Sequence, residues 1–254
     1  MKLSICTTNY NCGLVLENHL RSVWDQLEGL DFEYIVVDNR SRDGSEKIFR
    51  AWARHNPNLS LYSKRCTMGE GRQIAFSHAR GDHVMVLDTD VVYSELLRRY
   101  IDAYFVRCPG LSVQAIFAAI FPRDQWIRAG GRHSLNTNED VDLWLRIDRL
   151  GTMRWYPIAL GENLKEPSAW GISDHLSRRY SKQERIRRLL RREWDLLKTR
   201  EIGRMSIETL VSPNIIDLGL GPEPGPWPQS RTRESRIQHF VGFVGDLRRT
   251  LGAD

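Results

Sequence analysis

Two aspartates separated by one residue, Asp88 and Asp90, are the side chains of this sequence best placed to hold a metal ion. They directly follow the apolar run His83 to Leu87, which is typical of a buried strand. Two carboxylates beyond a strand end can bind a hard divalent cation and the phosphate groups attached to it. The pattern alone is weak, since chance places about one Asp-x-Asp pair in a chain of this composition. The same acids could instead cap the turn before a helix that begins near Ser94.

A further acid, Asp38, follows the apolar run Tyr34 to Val37. Its carboxylate could accept hydrogen bonds from a nucleobase N–H or a ribose hydroxyl, as acidic residues do in other nucleotide-binding sheets. Thr8 ends the first apolar run and Tyr10 lies just beyond it, and this polar, aromatic segment suits packing around a base. Both segments are also compatible with ordinary loops, and Asp43-Gly44 predicts a turn.

Gly69, Gly71 and Arg72 combine two small residues with one guanidinium at the predicted start of a helix. Backbone N–H groups at a helix start and an arginine side chain both favour negative charge. This segment is therefore suited to a diphosphate group.

The elements that would position these residues alternate along the first half of the chain. Four apolar runs predict buried strands: Leu3 to Thr8, Tyr34 to Val37, Leu59 to Tyr62 and His83 to Leu87. The segments between them have the helical spacing of apolar residues. This alternation predicts an α/β fold whose mostly parallel central sheet is covered by helices on both faces. In such a sheet ligands bind beyond the carboxyl ends of the strands, where these polar residues are found.

The following part of the chain is less regular. The apolar run Leu111 to Phe121 is long enough for a strand or for a buried helix. Apolar spacing then predicts a helix from about Glu139 to Leu150, ended by Gly151.

Taken in order, the motifs of residues 1–95 resemble those of the family 2 glycosyltransferases of the GT-A fold. The segments that carry the resemblance are Thr8-Asn9-Tyr10-Asn11, Val36-Val37-Asp38-Asn39-x-Ser41-x-Asp43-Gly44, Gly69-x-Gly71-Arg72, Ala79-Arg80-Gly81-Asp82 and Leu87-Asp88-Thr89-Asp90. Each segment is weak by itself, whereas their order and spacing are specific. The resemblance implies a GT-A-like, Rossmann-like domain. It also implies a hexosyltransferase-type enzyme whose donor is a nucleoside-diphosphate sugar, with UDP or GDP as the nucleotide.

The resemblance also implies roles for individual residues. Asp38 would read the base, Arg72 would approach the diphosphate, and Asp90, helped by Asp88, would hold Mn²⁺ or Mg²⁺. The loop after the first strand would complete the nucleotide pocket. The turn after Asp38 departs from the family pattern, which leaves the base open. The departures are Asn39 in place of a frequent second acid and the basic residues Arg40 and Arg42.

The segment 138–146 is similar to the Glu-Asp motif that supplies the catalytic base in inverting members of the family. One carboxylate would take the proton from an acceptor hydroxyl as it attacks the anomeric carbon. We favour Asp140 ahead of Glu139 for this role, with Asp142 as a solvated neighbour. Acids in the first turn of a helix also stabilise it through the macrodipole, which is the alternative. His175 lies where family members often place a histidine that completes the metal or diphosphate site, although a lone histidine is more often structural.

The amino-acid composition excludes several classes of protein. The 254 residues include 37 basic and 32 acidic side chains, and 41% of them are hydrophobic. These values support a folded core and exclude a disordered or collagen-like chain. The longest nearly apolar stretch, Leu111 to Phe121, is too short to span a bilayer. The four cysteines are too scattered for a disulfide framework, and the N-terminus lacks the layout of a signal peptide, so we expect a cytoplasmic protein.

The last third of the sequence is strongly basic. Residues 178–204 carry a local net charge of +7, and the segment 181–200 predicts a basic amphipathic helix. We expect a glycosyltransferase domain over residues 1–205, then a linker and an amphipathic helix over residues 206–254. This layout predicts peripheral attachment to an anionic membrane surface, beside a glycan or lipid-linked acceptor. Packing of the last helix against the domain is the alternative. No nucleic-acid partner is expected, since the basic segment lacks interleaved surface aromatic residues.

Two other functions fit parts of the sequence. A sugar-phosphate nucleotidyltransferase would share the fold class, but those enzymes usually carry a glycine-rich loop with a basic residue, which residues 7–13 lack. A non-enzymatic basic module that binds membrane or nucleic acid would leave the acidic motifs without a role. The sequence therefore favours glycosyl transfer to an acceptor hydroxyl, and the resemblance implies that this transfer is metal-dependent and proceeds by single displacement with inversion.

Overall fold

The computed structural model describes residues 3–136 and 139–163 together with Leu218. The strands are β1 (Leu3–Asn9), β2 (Phe32–Asp38), β3 (Leu59–Ser63), β4 (His83–Leu87), β5 (Val91–Tyr93), β6 (Ser112–Ile116), β7 (Ala118–Pro122), β8 (Met153–Ala159) and β9 (Gly161–Asn163). The helices are α1 (Gly13–Leu27), α2 (Ser45–His55), α3 (Met68–His78), α4 (Leu96–Arg107), α5 (Arg123–Arg128) and α6 (Glu139–Asp148). His175, the predicted basic helix, the boundary at residue 205 and the C-terminal extension lie outside these residues.

Seven strands form one sheet in the order β3-β2-β1-β4-β7-β6-β8, and β5 pairs with β9 in a small second sheet. Within the large sheet, β3, β2, β1 and β4 are parallel neighbours, as are β6 and β8. Only β7 runs antiparallel to the strands on either side of it. The predicted α/β fold with a mostly parallel central sheet is confirmed, and the four predicted strands of the first half are all present.

Both faces of the sheet are covered because successive strand residues point to opposite sides. In β1, Ile5 packs in the core with helices α1, α2 and α4, whereas Cys6 packs in the core with α3, α5 and α6. In β2, Tyr34 packs on the same side of the sheet as Ile5, and Ile35 packs on the same side as Cys6. The near-continuous apolar character of these strands follows from this two-sided burial.

The apolar run from Leu111 to Phe121 forms two antiparallel strands, β6 and β7, rather than one strand or a helix. The chain reverses between them at Phe117, which has a φ of 72°. Positive φ normally favours glycine or asparagine. The sequence therefore contains no local turn signal at this hairpin, which explains why it was not predicted.

The motif of residues 79–82 lies at the edge of the sheet opposite the carboxyl ends of the parallel strands. Glu33, near the start of β2, accepts hydrogen bonds from the Ser4 hydroxyl and the Arg80 backbone N–H, both at 2.6 Å. The Ser4 hydroxyl in turn accepts the N–H of Gly81 at 2.7 Å. The segment 79–82 is thus a structural connection between α3 and β4.

Helix positions agree closely with the predicted ones. Helix α6 begins at Glu139 and ends at Asp148, two residues before the predicted end, and Gly151 follows with a φ of 74°. In the described ranges, 3–136 and 139–163, no helix has the length and apolar character needed to cross a bilayer.

Candidate active site

The carboxyl ends of the parallel strands bring together most of the predicted site residues. Asp38 ends β2, Asp88 follows β4, and Thr8 lies near the end of β1. The N-terminal halves of α3 and α6 reach the same edge, since Arg72 contacts both Asp88 and Glu139.

Local sequence explains how α3 presents Arg72. The helix begins after Thr67, whose hydroxyl accepts the backbone N–H of Glu70 at 3.1 Å and so caps the helix. Gly71 packs directly on Thr8, where any Cβ would overlap the threonine side chain. Thr8 also donates its hydroxyl to the carbonyl of Met68 at 3.0 Å. The missing side chain at Gly71 therefore lets the helix lie against the end of β1.

Arg72 bridges the two acidic motifs. Its Nη2 lies 2.5 Å from Oδ1 of Asp88, and its Nη1 pairs with Oε1 of Glu139. The Arg72 side chain is only 7% exposed. The strand-end acids and the helix acids, which are about fifty residues apart in sequence, thus form one site.

Arg132 is a site residue that the motifs did not reveal. Its side chain is 1% exposed, its guanidinium lies 5.2 Å from the centre of the Trp126 ring, and it pairs with Oε2 of Glu139. Gln73 anchors this loop, because its Oε1 accepts the backbone N–H of Arg132 at 2.8 Å. The sequence carried no signal for Arg132, because its contact with Glu139 depends on how this loop packs.

Glu139 therefore has a guanidinium at each carboxylate oxygen, and its side chain is 3% exposed. The neighbouring Asp140 is half-buried, and its Oδ1 accepts the backbone N–H of Val141 at 2.8 Å. Of the two acids predicted as catalytic, Asp140 is the more accessible to an acceptor. Asp142 differs from the solvated neighbour that we expected, because it pairs with Arg146 at 2.6 Å and lies 3.0 Å from His133 Nδ1.

The pKa of the Asp88 carboxyl is raised to about 6. Loss of hydration is the main cause; Arg72 opposes it, and the negative charges of Asp90 and Asp140 add to it. The acids at residues 88, 90, 139 and 140 and the two arginines at 72 and 132 give this cluster a formal net charge of −2. The cluster is thus electrostatically suited to a divalent cation.

Asp88 and Asp90 have the chemistry of a Mn²⁺ or Mg²⁺ site, since both cations prefer oxygen ligands. The side chain of Asp88 is 37% exposed, so an ion can reach it. Among residues 3–136 and 139–163 there is no group of three or more histidine, cysteine or acidic side chains arranged to hold a metal. The carboxylates at 88 and 90 would therefore share an ion with oxygen atoms from a bound phosphate or water.

Asp38 is fully buried and its carboxylate is already hydrogen-bonded within the protein. Oδ1 accepts from Asn9 at 2.7 Å and from the Ser41 hydroxyl at 2.6 Å, while Oδ2 accepts the Ser41 N–H at 2.8 Å. These bonds fix the turn after β2. The adjacent Asn39 accepts the N–H of Cys66 at 2.9 Å and so ties this turn to the segment before α3. Tyr10 is half-buried just beyond β1.

The chain belongs to the Glycosyl transferase family 2, whose sequence model matches residues 4–160. It is 28% identical over 158 residues to abequosyltransferase RfbV of Salmonella typhimurium, a match that covers 57% of this chain and 47% of that protein. Over 75 residues it is 29% identical to dolichyl-phosphate beta-glucosyltransferase ALG5A of Trichomonas vaginalis, covering 29% and 23% of the two chains. The chain thus spans less than half the length of these curated relatives.

Solved structures share the fold. The mannosyltransferase PcManGT of Pyrobaculum calidifontis, in complex with GDP-Man and Mn²⁺, superimposes with a TM-score of 0.57 at 17% identity, covering 99% of this chain and 74% of that one. Residues 1–349 of TarS from S. aureus superimpose with a TM-score of 0.52 at 16% identity, covering 63% and 59%. The predicted GT-A fold and the predicted family of glycosyltransferases are both confirmed.

Proposed function

We propose that this glycosyltransferase moves a sugar from a nucleoside-diphosphate sugar to an acceptor hydroxyl, with a divalent cation and with inversion at the anomeric carbon. The observation that carries the proposal is the bridge from Asp88 through Arg72 to Glu139, next to Asp140. It joins a candidate cation site to a candidate general base within one cluster. Solved structures of fold neighbours contain GDP-Man with Mn²⁺ or UDP with Mn²⁺, which supports the same ligand classes here.

Asp90 and Asp88 would hold Mn²⁺ or Mg²⁺, and His175 stays a predicted further ligand. When bound, such a cation stabilises the negative charge of a leaving nucleoside diphosphate. Arg72 supplies positive charge beside Asp88 for the same diphosphate. The nucleoside would lie toward β1 and β2, where Thr8, Tyr10 and the turn held by Asp38 line the edge of the sheet.

Asp140 is the general base in this proposal, because it is half-buried at the start of α6 and near Asp88. Its carboxylate would accept the proton of the acceptor hydroxyl as that oxygen attacks the sugar. Glu139 has both carboxylate oxygens paired with guanidinium groups. We therefore assign Glu139 to holding Arg72 and Arg132 rather than to proton transfer.

The acceptor is proposed to be a glycan or a lipid-linked molecule. One curated relative is named for transfer to dolichyl phosphate, which is a lipid phosphate. The basic segment 178–204 would favour peripheral binding to an anionic membrane that carries such an acceptor.

Calorimetric titration with UDP and with GDP, each with Mn²⁺, with Mg²⁺ and without metal, tests the donor and the cation. We expect one nucleotide to bind only when a divalent cation is present, and Asp90→Ala to abolish that binding while the protein stays folded. The anomeric configuration of the product, read by NMR, tests inversion. Nucleotide binding that is equally tight in EDTA, or retention of configuration, would contradict the proposal.

A further inference from the structure

The guanidinium of Arg72 connects two carboxylates whose surroundings differ. On one side, Glu139 is 3% exposed and its second oxygen is held by Arg132. On the other side, Asp88 is 37% exposed at the open edge of the sheet, 2.5 Å from Arg72 Nη2. One end of the Arg72 guanidinium is therefore anchored in the protein interior, and the other end faces the site.

Asp88 is also one of the two carboxylates assigned above to the divalent cation. A carboxylate oxygen in contact with a guanidinium is already used as an acceptor, and two positive charges close to the same oxygen repel each other. A cation that binds Oδ1 of Asp88 must therefore displace Arg72 Nη2, and a cation on the other carboxylate oxygen is still repelled by the same guanidinium. This competition would weaken the binding of the cation in the absence of donor.

We propose that Arg72 serves as an internal counterion for Asp88 in the free protein and becomes a partner of the donor diphosphate when the cation binds. The proposal rests on the function proposed above. Glu139 and Arg132 hold Nη1 in place, so only the contact of Nη2 has to change partners. A diphosphate offers Arg72 new oxygen partners in place of Asp88.

Thermodynamic coupling between the two ligands follows from this exchange. The cation gains access to Asp88 more easily when a diphosphate is present to pair with Arg72. By reciprocity the nucleotide binds more tightly when the cation occupies Asp88. Removing the Arg72 guanidinium should therefore strengthen the binding of the cation alone and weaken the binding of the nucleotide.

The test measures the affinity for Mn²⁺ without nucleotide, and the affinity for UDP or GDP at saturating Mn²⁺, in the wild type and in Arg72→Gln. We expect Mn²⁺ to bind on the order of tenfold more tightly to the variant, and the nucleotide on the order of tenfold more weakly. A merely structural role for Arg72 would weaken both. Unchanged or weaker binding of Mn²⁺ to the folded variant overturns the proposal.

Arg80→Gln is the matched control, since it removes an arginine that also pairs with a glutamate, Glu33, but at the opposite edge of the sheet. Both affinities should equal those of the wild type. The double variant Asp88→Asn/Arg72→Gln should not show the higher Mn²⁺ affinity of Arg72→Gln, because the carboxylate for which Arg72 and the cation compete is absent.

Arg72→Gln removes a buried cation, so circular dichroism must show that the variant is folded. Arg72→Lys provides a second test, because one ammonium paired with Glu139 leaves Asp88 available, and Mn²⁺ should again bind several-fold more tightly. Loss of Mn²⁺ affinity in a folded Arg72→Lys overturns the proposal. A different result would contradict the proposed function itself. In that case the wild type would bind nucleotide equally well with and without Mn²⁺, and both proposals would be wrong.

Discussion

The hydroxyl oxygen of Tyr93 lies 3.0 Å from the backbone nitrogen of Asp88 and accepts its N–H. The same hydroxyl donates to the carbonyl of Phe117 at 2.7 Å. Tyr93 is buried in the small sheet, whereas Phe117 occupies the reversal between β6 and β7. One phenol thus connects the backbone of the candidate cation site to the hairpin beside it.

Tyr93→Phe should lower the free energy of unfolding by about 1–3 kcal/mol, because it leaves a partly buried N–H and a partly buried carbonyl without their partner. We also expect a several-fold loss of Mn²⁺ affinity in the presence of nucleotide, since the backbone of Asp88 is less firmly held. Urea unfolding and calorimetry measure the two effects. Tyr104→Phe is the control, because its hydroxyl donates to the carbonyl of Leu111 at 2.9 Å and lies on α4. That variant should lose stability and retain affinity, and an equal loss of affinity in both variants would contradict the connection.

The strands that position this site could be predicted because each is marked by a short local pattern in the sequence. Strands β1 and β4 are short apolar runs that end in polar residues, and Asp88 follows its strand directly. In a parallel sheet the position of a residue after a strand fixes its location at the carboxyl edge. Asp38 and Thr8 were placed at that edge by the same reasoning, and Arg72 was predicted from its position at the start of a helix.

The contacts that were missed are not local. Arg132 meets Glu139 through a loop that is held by Gln73, almost sixty residues earlier in the chain. No spacing rule relates these positions. Phe117 was missed for a different reason, since a non-glycine residue with positive φ has no signature in a single sequence. The hydrogen bonds that Asn9 and Ser41 donate to the Asp38 carboxylate also depend on packing and could not be predicted from the sequence.

Asp140→Asn should lower turnover by about 10²- to 10⁴-fold with nearly unchanged nucleotide affinity, because it keeps the size of the side chain and removes the base. Asp142→Asn is the matched comparison on the same helix. Asp142 pairs with Arg146, so this variant should mainly lose stability, by about 1–3 kcal/mol. Steady-state kinetics per folded molecule and thermal unfolding separate the two. Equal losses of turnover in both variants would exclude Asp140 as the base.

Glu33→Ala should destabilise the protein by about 1–3 kcal/mol, since the Ser4 hydroxyl and the Arg80 N–H lose their buried acceptor. The turnover of the folded fraction should match that of the wild type, because Glu33 lies at the edge opposite the site. Denaturant unfolding combined with activity at a low temperature checks both parts. A fall in turnover without a change in stability would show that the segment 79–82 acts on the site.

Asp43 gives the stability of the fold a dependence on pH that is independent of the candidate active site. Partial burial by itself would raise the pKa of the Asp43 carboxyl, but hydrogen bonds from Ser45 and from the Gly13 N–H outweigh it and lower the pKa below its usual value. The Gly13 nitrogen is 2.6 Å from Oδ2, and the Ser45 hydroxyl is 2.6 Å from Oδ1. The carboxylate thereby joins the starts of α1 and α2.

Because the pKa of Asp43 is lower in the folded state than in the unfolded state, the charged carboxylate stabilises the fold above a pH of about 4. This stabilisation is lost as the pH falls through the folded-state pKa. Asp43→Asn should therefore be less stable than the wild type at neutral pH, and the difference should shrink progressively in acid. Urea unfolding from pH 7 down to pH 3 measures it, with Asp25→Asn on the exposed side of α1 as the control for the change in net charge. A difference in stability that stays constant over this range would show that the geometry of the side chain, and not its charge, holds the two helix starts together.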